Sequence, residues 1–317
     1  MKMIVVKNKK TFDISDLIQN LSWGGSINQV ARKLTFQMIY GSDYYTPKFV
    51  VSNGDFIKLL DQNDQLILSG VIFSKETDRA GGTISVTVYD PLIYLTKNLT
   101  TKVAKKVAVT HFIKSLCDEF EIEIVRMPDI STTIDGIFRD VSVYDLIKKA
   151  LVECSKLNDI QYVMRYEGNG IAIDALGTHV NTMDLVSGED EIYTLNISES
   201  MEELRNTVVI RGKGDGVLVT VKDDELIKKY GRMQHQSSEE KMTKAQSQIY
   251  ATKLLKELGQ ETLELSIQMK GNTKIKAGDL VNFKDEELRL NQSFVIEEDN
   301  HSMNNSDYTM DLKLMRR

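Results

Sequence analysis

The sequence predicts an α+β protein that is mainly β: two similar small β-barrels, an α+β module inserted between them, and a helical insertion in the second barrel. Three observations lead there. Apolar residues alternate with polar ones, at the period of a half-buried strand, over the first hundred residues and again towards the end. Between them the spacing switches to that of amphipathic helices. A short motif near residue 54 returns near residue 278.

In the first hundred residues Val30, Arg32, Leu34, Phe36 and Met38 alternate with Ala31, Lys33, Thr35 and Gln37, which sets one face on a core. Further strand runs cover 55–60, 65–73 and 83–89. Trp23-Gly24-Gly25-Ser26, Ser52-Asn53-Gly54-Asp55, Asp61-Gln62-Asn63-Asp64 and Ala80-Gly81-Gly82 read as turns between strands. Several short strands at this spacing favour a closed barrel, because closure removes exposed edges, and 1–100 is assigned as the first barrel.

Residues 101–190 form the predicted α+β module. Phe112, Ile113, Leu116, Cys117 and Phe120 lie at helical spacing in 110–120. A second helix starts after Ser142, whose hydroxyl can cap it, and runs to about 157 with Leu146, Ile147, Ala150, Leu151 and Cys154 on one stripe. Strands at 160–166 and 171–176 flank Glu167-Gly168-Asn169-Gly170, a hairpin signal because Gly and Asn tolerate positive φ.

Strands return at 191–197, 206–211 and 217–221. Asp223 caps a short helical turn ending at Gly231. A longer helix, 241–258, carries Met242, Ala245, Ile249, Leu254, Leu255 and Leu258, with Gly259 as its left-handed stop. Its apolar side suits packing within the chain or docking of a partner. Between the two helices, 232–240 is polar and is assigned as a mobile loop. Strand patterns at 262–269, 279–284, 293–298 and 308–314 finish the chain. The second barrel is thus 191–212 with 260–317, interrupted by the helical insertion 213–259. Pro47, Pro91 and Pro128 are the only prolines, so no Pro-rich spacer separates the modules.

The repeat aligns Gly54-Asp55-Phe56-Ile57-Lys58-Leu59-Leu60-Asp61 with Gly278-Asp279-Leu280-Val281-Asn282-Phe283-Lys284-Asp285. After it, Leu66-Ile67-Leu68 corresponds to Leu288-Arg289-Leu290, Val71-Ile72-Phe73 to Phe294-Val295-Ile296, and 83–89 to 308–314. A Gly-Asp turn entering a strand is common, but four elements in the same order point to duplication.

Composition sets outer limits. The 317 residues are 41% hydrophobic and 27% charged with a net charge of -6, the profile of an ordered globular chain. No apolar run approaches the roughly 18 residues of a membrane span, and 1–10 lacks a signal-peptide core, so cytosolic synthesis without membrane insertion is expected. Charge divides as +2 over 1–100 (11 basic, 9 acidic), -5 over 101–190 (10 and 15) and -3 over 191–317 (19 and 22). No segment is basic enough for a dedicated nucleic-acid grip.

Catalytic signatures are not found: no Gly-x-Ser-x-Gly elbow, His-Glu-x-x-His, Walker A loop or Rossmann fingerprint. Arg211-Gly212-Lys213-Gly214-Asp215-Gly216 lacks phosphate-loop spacing and precedes a β-run, so it is read as a hairpin turn. Asp61-Gln62-Asn63-Asp64 begins like a calcium loop, but Leu66 stands where that loop needs glycine. His111, His179, His235 and His301 are far apart and are read as helix-start, loop or surface residues. The acidic groups Glu189-Asp190-Glu191, Asp223-Asp224-Glu225 and Glu239-Glu240 fall at turns and helix starts. Cys117 and Cys154 sit on apolar stripes and are expected as buried small hydrophobes without a disulfide or zinc site. No catalytic, cofactor-binding or metal-binding residue is assigned, although two distant carboxylates could still meet in space as a glycosidase pair.

Leu21-Ser22-Trp23-Gly24-Gly25 with Val30-Ala31-Arg32-Lys33-Leu34-Thr35-Phe36 resembles the opening of the XkdQ/YqbQ-type proteins of phage tails and defective prophages, which are late control protein D-like. Leu204-Arg205-Asn206-Thr207-Val208-Val209-Ile210-Arg211-Gly212 is similar to that family's return into its second barrel. The helix at 251–259, Gly278-Asp279 and the last strand continue the resemblance over the whole chain. It implies a structural baseplate hub of a contractile tail: a homotrimer joining the tail tube protein to the central spike protein among other baseplate proteins. Three chains with two barrels each would present six similar surfaces to a sixfold tube ring. The implied location is the tail baseplate of a virion or phage-like particle, with no cofactor and no enzymatic activity. The chain stops at Arg317, just after the last strand, so no lysozyme or peptidase domain is expected to follow. Two other readings stay open. One is a peptidoglycan hydrolase of the injection apparatus, with carboxylates meeting in the α+β module. The other is a carbohydrate-binding module, weakened by a single tryptophan, Trp23, placed in a turn.

Overall fold

A computed structural model describes residues 1–39, 49–158, 160–178, 183–186, 192–287, 289–304 and 307–316. Pro47, His179, Leu288, Arg317 and the Glu189-Asp190-Glu191 group lie outside these residues.

The first half of the main sheet contains β1 (Lys2–Lys7), β2 (Lys10–Asp13), β3 (Ile18–Ser26), β4 (Lys33–Ile39), β5 (Phe56–Leu60), β6 (Leu66–Asp78) and β7 (Thr83–Tyr89). Neighbouring strands follow the order β3-β4-β7-β6-β5-β1-β2. Period-two patterning explains the faces: Leu34, Phe36 and Met38 of β4 and Ile84, Val86 and Val88 of β7 are buried, and the residues between them are not. Met3, Val5, Trp23, Ile57, Leu59 and Ile72 complete this core.

The middle of the chain comprises α1 (Ile93–Lys97), β8 (Leu99–Ala108), α2 (Val109–Glu119), β9 (Ile124–Arg126), β10 (Thr133–Ser142), α3 (Val143–Asn158), β11 (Tyr162–Glu167), β12 (Gly170–Ala175) and β13 (Met183–Val186). Ser142 Oγ accepts from Asp145 N at 3.1 Å, the expected cap of α3. The helical stripes meet in one core through Phe112, Ile113, Leu116, Leu146, Ile147 and Ala150.

The rest of the chain supplies β14 (Ile192–Ser200), β15 (Thr207–Arg211), β16 (Val217–Lys222), α4 (Asp224–Tyr230), β17 (Gln234–Ser238), α5 (Lys244–Leu258), β18 (Thr262–Lys270), β19 (Leu280–Asp285), β20 (Leu290–Asn304) and β21 (Asp307–Arg316). β15, β16 and β17 make a separate sheet, against which α5 lays Ala251 and the half-buried Leu254 and Leu255. The other strands extend the main sheet in the order β14-β18-β21-β20, with β19 beside β20 and β13 parallel to β19.

Two six-strand arrays therefore share one order, β3-β4-β7-β6-β5-β1 and β14-β18-β21-β20-β19-β13. Their registers agree in detail. Phe56 faces Val71 as Leu280 faces Val295. Ile72 faces Val88 as Ile296 faces Leu314, and each ladder then skips one residue, at Phe73 and at Glu297. The turns match hydrogen bond for hydrogen bond. Gly54 N donates to Ile72 O and Gly278 N to Ile296 O, while Asp55 Oδ2 accepts from Ser52 N and Asp279 Oδ2 from Lys276 N. Both glycines have φ near +90° (+92° and +86°), which a Cβ would oppose. The outermost strands differ, since β1 runs antiparallel to β5 whereas β13 runs parallel to β19.

Several expectations are corrected. None of the sheets is closed: among the described residues the main sheet has 13 strands with free ends, β19 and β13 branching from β20, which also pairs with β3 and carries one array into the other. The motif itself keeps its register, but the alignment after it was slipped, by two residues where Leu68 corresponds to Gln292 and by one where Val71 corresponds to Val295 and Thr83 to Thr309; alternation alone does not detect a slip inside the continuous apolar run 294–296. Trp23-Gly24-Gly25-Ser26 is not a turn but the end of β3. There a Cβ on Gly24 would sit 2.3 Å from Asp299 O and one on Gly25 2.9 Å from Arg32 Cγ, so the glycines admit the neighbouring strand and the Arg32 side chain. The polar 232–240 segment is no mobile loop: it contains β17, whose polar side chains gave no apolar period. Gly259 ends α5 at φ -77°, not left-handed. The hairpin of β1 and β2 was missed, β2 being exposed throughout.

Candidate functional site

The residues weighed for chemistry scatter. Cys117 and Cys154 are buried, and burial pushes their thiols up to about 12 and about 11, far from nucleophilic range. His111 is exposed on α2 and His235 half-buried on β17. Asp223 accepts from Glu225 N and Leu226 N at the start of α4, and Glu239 binds Lys156 at 3.0 Å. The glycine-rich 211–216 segment is the expected turn, with Gly212 N donating to Gly216 O. Asp61 Oδ1 accepts from Asn63 N and Gln65 N, a self-contained turn. No cluster of three or more His, Cys, Asp or Glu side chains suited to a metal ion occurs among the described residues.

Polar side chains do converge where the two arrays and the central module meet. Asp299 on β20 is buried. Its Oδ1 accepts from Arg32 Nη1 at 2.7 Å and from Ala277 N at 2.6 Å, and its Oδ2 accepts from Arg32 Nη2. Burial would raise its carboxyl, but the Arg32 charge and hydrogen bonds outweigh that and hold it well below the usual carboxylate range. His301, also buried, places Nε2 3.1 Å from Asp299 Oδ2 and Nδ1 2.9 Å from Tyr308 Oη. Its ring lies flat on Trp23, with centroids 5.0 Å apart and planes 2° from parallel. His301 is therefore neither surface nor loop, and Trp23 is sealed in the core.

The central module joins through β11. Arg165 Nη2 donates to Ala277 O at 2.7 Å and to Asp279 Oδ1 at 2.8 Å. Gly278 makes room, since a Cβ there would lie 2.6 Å from Arg165 Nη2. Burial together with the charges of Arg32 and Arg165 lowers the pKa of Lys276. Asp90 accepts from Arg32 N and Leu92 N, and burial raises its carboxyl to about 6 against those bonds. A cavity of about 200 Å³ opens here, lined by Arg32, Asp90, Arg165, Tyr166 and Lys276. A second, about 320 Å³, lies between α3 and α5, beside Tyr144, Lys156, Tyr162 and Tyr250. The first arrangement can clasp three units by compensated charge. Asp299 and His301 are covered within it.

Two of the open strand edges belong to the corresponding arrays. Among the described residues β14 pairs with β18 alone, and residues 74–78 of β6 pair with β7 on one side only. No helix among the described residues is long and apolar enough to cross a membrane.

Sequence reasoning missed the clasp. One signal was available: Arg32 occupies an inward phase of the Val30–Met38 alternation, where a charge must find a buried partner. That the partner was Asp299 could not be read from spacing, because 267 residues separate them.

Comparison with known proteins agrees with this architecture. YqbQ of Bacillus subtilis (strain 168) is 24% identical over 324 residues, covering all of this chain and 97% of that protein. The XkdQ protein of the phage-like element PBSX, from the same organism, is 22% identical over the same shares. The crystal structure of the 43 kDa tail protein of prophage MuSo2 from Shewanella oneidensis superposes with a TM-score of 0.76 at 12% identity, covering 100% of this chain and 98% of that one. The YQBQ-like sequence profile matches residues 21–315, nearly the whole length, and this chain belongs to the YQBQ-like family.

Proposed function

We propose that this chain is a structural baseplate hub of a contractile phage-type tail, a homotrimer that joins the sixfold tail tube to the threefold central spike. The observation that carries the reading is the duplicated array: one chain holds two six-strand arrays with shared order, register and turn hydrogen bonds, so three chains present six. Family membership and a relative from a phage-like element support the tail setting. In the complete assembly each array forms a barrel-like unit. The unit boundaries read from the sequence shift with the strands: 183–186 joins 192–200 and 262–316 in the second array, and 207–258 forms the inserted unit. The buried clasp of Arg32, Asp299, Arg165 and Asp279 suits a part that must keep its units in fixed relation under contraction load. Its role is structural rather than catalytic, and its partners are the tube, the spike and other baseplate proteins.

The test is electron cryomicroscopy of tail particles from the source locus, with light scattering of the purified full-length chain. Three copies at the tip of the tube are expected. A single copy in assembled particles, or a position away from the tube–spike junction, would refute the proposal.

A further inference from the structure

We propose that the free edge of β14 pairs antiparallel with residues 74–78 of β6 in a second copy of this chain, repeating between copies the pairing that β3 makes with β20 inside one copy. The inference rests on the hub reading and names the contact that would hold the copies together.

Within the chain, Glu298 faces Ser26, Asp299 faces Gly25, Asn300 faces Gly24, His301 faces Trp23 and Ser302 faces Ser22. This ladder lies on the part of β20 beyond β19, which pairs only with its earlier residues, 290–295. β6 is built alike: β5 pairs with 66–71, and 74–78 runs on with one edge bare among the described residues. The correspondence of the arrays fixes the counterparts. Ile72 matches Ile296, Leu34 matches Leu265, and Trp23 matches Ile197, each deduced through successive ladders. Glu298 then corresponds to Ser74 and Asp299 to Lys75, while Gly25 corresponds to Glu199 and Gly24 to Ser198.

Carried over to two copies, the ladder sets Ser74 opposite Ser200, Lys75 opposite Glu199, Glu76 opposite Ser198, Thr77 opposite Ile197 and Asp78 opposite Asn196. The only directly opposed full charges, Lys75 and Glu199, are of opposite sign, and cross-strand pairs of that kind are favourable. All of 74–78 is exposed, as are Asn196, Ser198 and Glu199, so both edges are accessible in the folded chain. Lys75 Nζ donates to Val51 O of its own chain at 2.9 Å. A bare row of backbone N–H and C=O groups on each strand supplies the attraction. Inside the chain the contact is glycine-lined and buried around Asp299; between copies it is polar, as suits a contact formed after folding. The contact is head-to-tail, and such contacts generate a ring where the rotation closes. Three chains then alternate internal and external ladders around six arrays.

Disulfide capture tests the register. The full-length chain carrying Lys75→Cys and Glu199→Cys is oxidised, its native thiols Cys117 and Cys154 being buried. Covalent dimers and trimers are expected on non-reducing gels, and none from the shifted pair Lys75→Cys with Leu195→Cys. Charge exchange gives a second reading. Lys75→Glu and Glu199→Lys should each weaken association roughly two- to fivefold per contact, and the double exchange should restore it. A wild-type trimer that gives no cross-link at this register and ignores both reversals overturns the proposed contact and leaves the hub reading intact. A chain that stays monomeric even in assembled particles overturns both.

Discussion

Asp299→Asn keeps the shape of the side chain at the junction of the arrays and removes its charge. Asp299 is buried and Arg32 is 21% exposed at its side chain, so the guanidinium left behind cannot recover full hydration. Losing one partner of a buried pair costs about 3–5 kcal/mol. Asparagine can still accept from Ala277 N and from one Arg32 nitrogen, which puts the expected loss near the lower end, about 3 kcal/mol. At roughly 2–4 °C per kcal/mol for a chain of this size, Tm should fall by about 6–12 °C. The assay is built in: Trp23 is the sole tryptophan and stacks on His301, so its fluorescence reports this junction directly. The pH dependence has a definite sign. The Asp299 carboxyl is held below its ordinary range by Arg32, so its contribution is complete above about pH 4 and is lost as pH falls below that. The Asn variant should show a shallower acid-side decline. Arg32→Met combined with Asp299→Asn should cost less than the two single losses added. A Tm within about 2 °C of wild type, or additive losses, would refute the clasp.

Asp90 predicts the opposite slope. Its folded-state pKa near 6 lies above the ordinary value, so the folded chain binds the proton more tightly, and this group adds stability as pH drops from about 6 to 4. Asp90→Asn should flatten that segment of a Tm-versus-pH curve, the span being worth about 3 kcal/mol. The duplicated glycines should respond unequally. Gly54→Ala meets no neighbour and should cost about 1–2 kcal/mol for its positive φ, read by urea denaturation. Gly278→Ala also displaces Arg165 and should cost about 1–3 kcal/mol more. Finally, Cys117 and Cys154 should resist a thiol reagent at pH 8 in the folded chain, and both should react in denaturant.

Much of the fold was legible because its strands are one-sided. Leu34-Phe36-Met38 and Met310-Leu312-Leu314 carry their burial in plain alternation, and α2 and α3 carry theirs in clean stripes. Misreadings came where local signal and tertiary demand part. Gly24-Gly25 looks like a turn because glycine breaks strands, yet its reason is the approach of β20. β17 is polar and pairs parallel to β15 at the surface, so nothing in its own residues announced a strand. Closure was inferred from the cost of bare edges, yet among the described residues β14, β2 and β13 each pair on one side only. The clasp was illegible for a different reason: Arg32, Arg165 and Asp299 come from three distant segments, and complementarity at such separations leaves no local period.

The ladder between β3 and β20 also sets a schedule for the ribosome. Ser26 emerges 272 residues before its partner Glu298. At 5–20 residues per second, the nascent chain holds that strand unsatisfied for about 15–55 s. Trp23 waits equally long for the His301 ring it stacks against. Until then β3 can pair through one edge only, with β4.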